Sequence, residues 1–388
     1  MKKTYGGLLL AVLLLLPSLA LAGEHPTLPE KVETAVDALL ADVAGDPFDP
    51  DSVTPLLDLL PFLSPAQAAQ TVLRSRLEAE GAVQTFALNV PLERIVRSYD
   101  PDLPINFCMP DMVRLSGWRQ GGLMEDGRRL FEVTDLSSPA VARGVEFTDS
   151  TPGEEGASYA YDMLRMTALF QHRGDRVLVS VTKQKDVSTV GRKSLAVDRG
   201  NWVFFYSGLD GLNRAGVSWA DSYIYDSASI NLFVERAVQP GRTLVLCLKW
   251  LKAGWRGFNM VGREDLLAGQ DRFAASLRRT FEGRWVPLDQ LADLQRSIMA
   301  LPDEVVDGWT NRYAQAFAAA ASGAKDMGKK QYSEIVADGG YAAVLDQPNR
   351  RALLGLESLK CLLGKPALAD PCAGDIPGLI LGSPLPAP

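Results

Sequence analysis

The amino-acid sequence predicts an α+β protein in which a central, mostly antiparallel β-sheet grips a long helix, with helical extensions at both ends. Three observations predict this class. Apolar residues recur at helical spacing over residues 23–81 and beyond Pro287, short β-prone runs between turn residues fill the middle, and the amphipathic stretch Arg263 to Glu282 ends that middle. We expect five segments: a signal peptide (1–22), a helical N-terminal segment (23–81), the sheet domain (82–285), a helical C-terminal extension (286–374) and a Pro/Gly-rich tail (375–388).

The first residues have the order of a secretory signal. Lys2 and Lys3 precede an apolar run from Leu8 to Leu16, and the small residues of Ala20-Leu21-Ala22 stand before Gly23. An uncleaved membrane anchor is the weaker alternative, because that run is shorter than the roughly 20 residues that span hydrocarbon. We therefore expect export, cleavage after Ala22 and a soluble periplasmic protein.

The charge of the chain argues against nucleic acid as a partner. The net charge is −7, and without residues 1–22 the chain keeps 38 basic against 47 acidic side chains, a net charge of −9. The stretch Arg165 to Arg199 runs against this trend with eight basic and three acidic residues. It predicts either a solvated outer face of the sheet or contact with an anionic membrane surface.

In an oxidising compartment, the four cysteines suggest disulfide bonds. Cys361 and Cys372 flank a short loop rich in Gly and Pro, so we expect a bridge that stabilises the fold by roughly 3 kcal/mol. Cys108 and Cys247 are far apart in sequence, and each sits among apolar residues. They either pair or remain buried core thiols.

Two helices are expected in the N-terminal segment. Thr27-Leu28-Pro29-Glu30 has the pattern of a capping box, and a helix should run from there to Gly45. Ser64-Pro65 should start the second helix, since proline suits the first helical position. The apolar stripe of that second helix would be Ala68, Val72, Leu73 and Leu77.

From Ala82 the pattern changes to strand-like alternation, interrupted by a short helix over Pro91 to Tyr99. Arg173-Gly174-Asp175 and Gln239-Pro240-Gly241 are turn sequences that predict two hairpins. Seven β-prone runs are expected: Arg129–Thr134, Ala142–Thr148, Met163–His172, Arg176–Lys183, Asn201–Tyr206, Tyr223–Val234 and Thr243–Lys249. Three helices should follow the sheet: Leu288–Ala300, Val305–Ala321 and Ala352–Leu363.

The order of elements over Val83 to Glu282 is a strand, a short helix, several antiparallel strands and one long helix. It begins with the residues Thr85 to Val96 and ends with the strand Leu244 to Trp250 and a helix that carries Phe281. This order resembles the helix-grip architecture of the START and polyketide-cyclase-like superfamily. The resemblance implies a curved sheet wrapped around a long C-terminal helix and an apolar cavity. It rests on element order, so it implies no site residue.

Aromatic residues are concentrated on the strands that precede this helix, and aromatic side chains at alternating positions can line an apolar pocket. Packing of the sheet against the helix is the alternative explanation. The predicted ligand pocket consists of Trp202, Phe204, Tyr206, Trp219, Tyr223, Tyr225 and Phe233 on strands, and of Phe273 and Leu277 on the helix.

The sequence contains no convincing catalytic, metal or cofactor motif. Of its two histidines, His172 stands at the turn end of a predicted strand, where we expect a surface hairpin residue. Gly216 to Ala220 lacks the last glycine of a nucleophile elbow, and no HExxH or paired CxxC motif is present. A Cys108 nucleophile with His172 is a weaker interpretation than a core thiol or a disulfide.

These observations favour an exported protein that binds a hydrophobic or lipid-like ligand without catalysis and without a cofactor. The second hypothesis is a structural or adaptor protein of a cell-envelope complex, with the helical ends as docking surfaces for a protein partner. The third is a periplasmic hydrolase.

Overall fold

The structure is a computed structural model that describes residues 28–43, 45, 47–60, 70–76, 78–153, 155–213, 219–373 and 376–381. The predicted signal peptide, its cleavage site, Thr27 and Gly216 lie outside the described residues. No helix in the described part is long and apolar enough to cross a bilayer.

The structure contains nine helices and twelve strands within the described residues. The helices are α1 (Glu30–Asp42), α2 (Thr54–Leu59), α3 (Leu92–Val96), α4 (Arg263–Phe281), α5 (Leu288–Ala300), α6 (Asp303–Ala321), α7 (Lys330–Val336), α8 (Tyr341–Val344) and α9 (Gln347–Leu362). The strands are β1 (Gln70–Arg76), β2 (Ala79–Leu88), β3 (Val113–Met124), β4 (Ala140–Ser150), β5 (Ala157–Ser158), β6 (Ala160–His172), β7 (Asp175–Gln184), β8 (Arg192–Asp198), β9 (Val203–Asp210), β10 (Ser222–Glu235), β11 (Thr243–Trp255) and β12 (Phe258–Asn259).

The main sheet is antiparallel and has nine strands, in the order β1-β2-β11-β10-β7-β6-β4-β3, with β12 paired to β11. The first strand of the predicted domain, β2, therefore lies beside the last, β11, and α4 follows and packs on β2. A second sheet, β5-β8-β9, is inserted between β4 and β10. The predicted α+β class is confirmed.

Both predicted hairpins are present. The β6–β7 turn places Arg173 and Gly174 at φ values of +52° and +89°, and the β10–β11 turn has Gly241 at +80°. A left-handed backbone is easy for glycine because it has no Cβ. These turns fix the register of the four central strands.

Two predicted elements are wrong. The expected second N-terminal helix is strand β1 from Gln70 onward, because the chain turns at Glu78 and pairs back on β2. The expected strand Arg129–Thr134 is a 3₁₀ turn instead. There Arg129 is held by Asp100, at 3.0 Å, and by Asp102, at 2.6 Å. Long-range contacts outweigh the local pattern in both places.

Helix α1 confirms the first expected helix, although Pro29 is its N-cap and provides no side-chain cap. With α2 it covers the face of the sheet that we call the outer face. Val32, Val36 and Leu39 of α1 are fully buried there, against apolar side chains of β6, β7, β10 and β11. Hydrophobic packing therefore covers the centre of this face.

The opposite face, which we call the inner face, is covered by α3 over β7 and β10, by α4 over β2 and β11, and by the C-terminal extension at β3. The three predicted C-terminal helices are confirmed as α5, α6 and α9. The ring of Phe205 on β9 lies 6.0 Å from Phe317, 5.3 Å from Tyr332 and 5.3 Å from Tyr341, measured between centroids. The inserted sheet and the extension therefore share one core.

The predicted disulfide between Cys361 and Cys372 is present and joins the end of α9 to the chain that follows it. The same helix carries a fully buried ion pair in which the Lys360 ammonium lies 2.6 Å from the Glu357 carboxylate. The Glu357 carboxylate also accepts a hydrogen bond from the Leu368 amide at 2.6 Å. Covalent and ionic contacts thus hold the end of the extension.

The shared core predicts that replacing Phe317 affects the whole molecule. Phe317→Ala should lower the free energy of unfolding by about 3–5 kcal/mol, because the ring is fully buried and contacts three other rings. Met299→Ala, at a side chain that is 58% exposed, should change it by less than about 0.5 kcal/mol. Chemical denaturation measures both. If both substitutions lowered the free energy of unfolding by the same amount, the result would contradict a shared core.

Candidate ligand-binding site

Three of the predicted pocket residues lie in the filled core under the second sheet. Trp202, Phe204 and Tyr206 are all less than 10% exposed. The Trp202 ring lies 5.9 Å from that of Trp285, and the Lys365 ammonium lies 4.7 Å above Trp202. Neighbouring side chains therefore already contact this ring on several sides.

Phe233 on β10 and Leu277 on α4 are buried in the same large core, and Phe273 is half-buried against it. The other three predicted residues lie elsewhere. Trp219 is 67% exposed and contacts Trp255 edge to face, and Tyr223 and Tyr225 contact each other. The structure thus brings six of the nine residues into one core, and their role in binding stays a prediction.

Side chains on the inner face of the central strands form lateral rows, because residues paired across antiparallel strands point to the same side. The first row is apolar and packs under the helices. It consists of Phe86, Val245, Phe233, Leu178 and Leu169, on β2, β11, β10, β7 and β6.

The next two rows are mostly polar, and we call them the polar band. Each row is shifted by two residues along the strands. The nearer row is Gln84, Cys247, Asn231, Ser180 and Thr167, and the farther row is Lys249, Ser229, Thr182 and Arg165. The prediction from aromatic residues did not include this band. The alternation of Ser227, Ser229 and Asn231 within an otherwise apolar strand is the sequence signal that indicates it.

Several members of the polar band bond to one another. Arg165 donates from Nε to Glu146 at 2.7 Å and from Nη1 to the Ser180 hydroxyl at 2.8 Å. The hydroxyls of Thr182 and Ser229 are 2.6 Å apart. The positive charge of Arg165 is therefore compensated inside the protein.

Lys249 is not compensated in this way. Its ammonium donates to the Ser227 hydroxyl at 2.6 Å, and no carboxylate of the described residues lies within 4.0 Å of it. Burial is the main cause that lowers the pKa of Lys249 to about 8; the attraction of Asp226 acts against it, and the nearby Arg165 acts with it. A half-buried amine without a carboxylate in direct contact can bind an anionic or hydrogen-bonding group of a ligand.

Asn231 indicates a gap in front of the band. It lies on a central strand between Cys247, which is 1% exposed, and Ser180, which is fully buried, yet its own side chain stays partly accessible. Within the described part of the chain, no residue forms a hydrogen bond with the side-chain amide of Asn231. Ser229 and Lys249 are likewise half-buried, so the helices do not fully cover this part of the face.

Apolar side chains lie on the far side of the band as well. Ile224 is buried there with Tyr159, and Tyr161 and Leu251 pack against them. The polar band therefore lies between two apolar regions, an arrangement that suits a molecule with one polar group and an apolar body.

The two free cysteines are not activated as nucleophiles. Cys108 and Cys247 are free and buried, and burial raises the pKa of the Cys108 thiol to about 12 and that of Cys247 still further. Because the thiolate is the nucleophile, neither residue is activated for attack. In the described part of the chain, the one group of side chains spaced to hold a metal includes both cysteines of the disulfide, Cys361 and Cys372.

The basic stretch Arg165 to Arg199 does not form one surface. Arg165 points to the inner face, Lys183 lines a cleft on the outer face, and Arg173 reaches Asp58 at 3.3 Å from the β6–β7 turn. Arg192 and the residues after it belong to the second sheet. The stretch therefore offers no single basic face to a membrane.

No family model matches the sequence, and no curated protein matches it. Two similar solved structures are a START superfamily protein from Mycobacterium smegmatis and the human StarD13 lipid transfer and protein localization domain. The first has 10% identity and a TM-score of 0.28, covering 52% of this chain and 97% of that one. The second has 9% identity and a TM-score of 0.28, covering 61% of this chain and 98% of that one.

Similarities this weak carry no argument about the family or the ligand of this chain. The helix-grip resemblance rests on this chain's own topology: strand β2, helix α3, the antiparallel strands up to β11, and α4 packed on the sheet.

The lowered pKa of Lys249 predicts a specific pH dependence. Between about pH 8 and 10.5 the unfolded chain binds more protons at Lys249 than the folded chain, so the contribution of Lys249 to stability rises with pH in that window. Lys249→Met should remove this rise, of about 1–3 kcal/mol, whereas the exposed control Lys185→Met should keep it. Urea titrations at pH 7 and pH 10 measure the difference. A rise that persists in Lys249→Met would show that the amine is not desolvated.

Proposed function

We propose that this chain is exported, loses its signal peptide after Ala22 and binds a hydrophobic or lipid-like ligand in the periplasm without catalysis. The observation that carries the binding proposal is the polar band, which lies partly uncovered between two apolar regions of the inner face. Sealing an unbonded amide such as that of Asn231 under apolar helices would cost free energy. A ligand in the gap supplies the missing partner.

In this proposal the polar group of the ligand meets Asn231, Ser229 and Lys249, and its apolar body lies toward Leu251 and Tyr161. The half-buried Phe273 of α4 covers it from the helix side. Burial of the apolar body provides most of the affinity, and the polar band selects the chemistry of the head group.

The adaptor hypothesis finds less support. Of the large apolar side chains exposed in the described part, only Met299 belongs to residues 288–363. A docking surface would require a contiguous apolar patch there.

Filling the gap should block binding. Ser229→Trp places an indole in the polar band, whereas Ala275→Trp, at an exposed position of α4, is a matched control. Oleate at a hundredfold excess over its dissociation constant should stabilise the wild type and Ala275→Trp by roughly 2.7 kcal/mol, and should not stabilise Ser229→Trp. Thermal unfolding measures this, and circular dichroism checks that both variants fold.

If a panel of oleate, lysophosphatidylglycerol and farnesol shifts the unfolding of none of the proteins, the binding proposal fails. It also fails if Ser229→Trp responds as the wild type does, because the ligand would then lie elsewhere.

Export is tested independently of binding. The intact mass of the periplasmic protein should correspond to a chain that begins at Gly23 and has one disulfide bond. Ala22→Phe should retain the first 22 residues, because the peptidase requires a small side chain at this place. A wild-type periplasmic protein that still carries Met1 would refute the cleavage site.

A further inference from the structure

Exposed apolar side chains are concentrated around the hairpin that joins β11 to β12. Of the nine large hydrophobic side chains that are exposed in the described part of the chain, three lie there. Phe258 on β12 is 68% exposed, Met260 just after β12 is 57% exposed, and Trp219 shortly before β10 is 67% exposed. Single exposed hydrophobic residues are normal on a protein surface, whereas a group of them indicates an interaction site.

Trp255 at the end of β11 connects these side chains, and we call Trp219, Trp255, Phe258 and Met260 together the hairpin patch. The ring of Trp255 meets that of Trp219 edge to face, with 6.2 Å between the centroids. Trp255 and Phe258 are paired across the hairpin, so their side chains point to the same side. Met260 lies beside Gly254, where a Cβ would be 2.8 Å from the Met260 Cγ. The four side chains therefore form one surface.

Hydrogen bonds hold the hairpin in place. Arg256 and Gly257 form its two-residue turn, with φ values of +51° and +81°. The Gly257 amide donates to the hydroxyl of Tyr225 at 2.7 Å, and the Met260 amide donates to the Ala253 carbonyl at 2.7 Å. The backbone that carries the exposed apolar side chains is therefore fixed to the end of the sheet.

The hairpin carries one charge, which is positive. Arg256 is the single charged residue in Ala253 to Val261. Its guanidinium lies 5.4 Å above the Trp255 ring and forms no ion pair with a described residue. The acidic residues of the adjoining segments, none of which lies within 4.0 Å of this guanidinium, are Asp221, Glu264 and Asp265. The exposed cation can therefore pair with a phosphate group.

This combination of side chains suits the interfacial region of a phospholipid bilayer. Tryptophan is enriched there because its ring is mostly apolar and has one polar edge. Arginine places its charge among the lipid phosphates while its stem lies along apolar surface. A stable protein complex needs an interface of at least about 1,000 Å², which four side chains at a hairpin do not provide. A bilayer has no such requirement, because each side chain that enters it adds its own burial.

We propose that the hairpin patch docks this protein on a phospholipid membrane. Its apolar side chains enter the interfacial region, and Arg256 pairs with a lipid phosphate. On β11, Leu251 and Ala253 alternate onto the same side as Trp255, and both pack in the apolar region beyond the polar band. Docking therefore places that region near the bilayer. The use of this route by a ligand rests on the proposed function, whereas the docking itself does not.

Sedimentation with vesicles of phosphatidylethanolamine and phosphatidylglycerol tests the proposal. The double variant Phe258→Ser/Met260→Ser should bind at least about tenfold more weakly than the wild type, because two apolar side chains no longer enter the bilayer. Val238→Ser is the matched control and should bind as the wild type does. Val238 is 89% exposed, but it lies in the β10–β11 turn, at the opposite end of both strands. Arg256→Gln should weaken binding about fivefold.

Tryptophan fluorescence at saturating lipid shows whether the hairpin patch enters the bilayer. Lipids brominated on their acyl chains should quench the wild type strongly and the double variant Trp219→Phe/Trp255→Phe much less, because its remaining tryptophans lie outside the hairpin patch.

The proposal is overturned if the wild type does not sediment with the vesicles, or if Phe258→Ser/Met260→Ser binds them as tightly as Val238→Ser. Binding without quenching would show adsorption by charge alone and would also overturn it. Ser229→Trp should bind the vesicles as the wild type does, so failure of the ligand proposal and failure of docking can be told apart.

Discussion

The two faces of the nine-stranded sheet must satisfy opposite requirements, and the rest of the structure depends on this asymmetry. The outer face presents only apolar side chains at its centre, such as Leu232 and Val179, and two short helices seal it. The inner face presents one apolar row and then the polar band. An apolar cover over the band would leave amides and charges without partners, which is costly. The helices therefore anchor on the apolar row and leave the band partly open.

This arrangement separates stability from recognition. Stability comes from the outer layer and from the shared core in which Phe205 and Phe317 meet rings of the C-terminal extension. In the proposed function, recognition of the ligand is left to polar and charged groups that have few partners within the protein. Arg165 is paired with Glu146, and removal of either partner would leave a buried charge. The Lys249 ammonium, by contrast, donates a hydrogen bond only to the Ser227 hydroxyl. A ligand that neutralises Lys249 would remove a cost that the folded chain carries alone.

Much of the fold can be predicted from the sequence where local patterns and tertiary contacts agree. The alternation in β7 and β10, the turn residues of both hairpins and the stripe of α4 are such cases. The prediction of β1 failed because its apolar spacing suits a helix, and only pairing with β2 decides for a strand. Strand β3 was missed because Gly121 and Gly122, both with positive φ, interrupt its alternation.

The candidate site was harder to predict than the fold, because residue type does not determine which face a side chain occupies. Phe204 belongs to a second sheet and Trp202 to the turn before its strand β9. A bulge at Tyr225, between Ile224 and Asp226, reverses the alternation of β10. The polar residues of β10 were not predicted as site residues, because they are small and lie among many apolar residues. Their meaning becomes clear only when four strands place Lys249, Ser229, Thr182 and Arg165 side by side.

The central claim is that the uncovered part of the inner face holds an amphipathic molecule in the cell. Native mass spectrometry of the protein purified from its own envelope tests this most directly. The account predicts a wild-type mass that exceeds the polypeptide by one small hydrophobic molecule, which is lost on denaturation and absent from Ser229→Trp. A wild-type protein with only the polypeptide mass, both as purified and after loading with oleate, would contradict it.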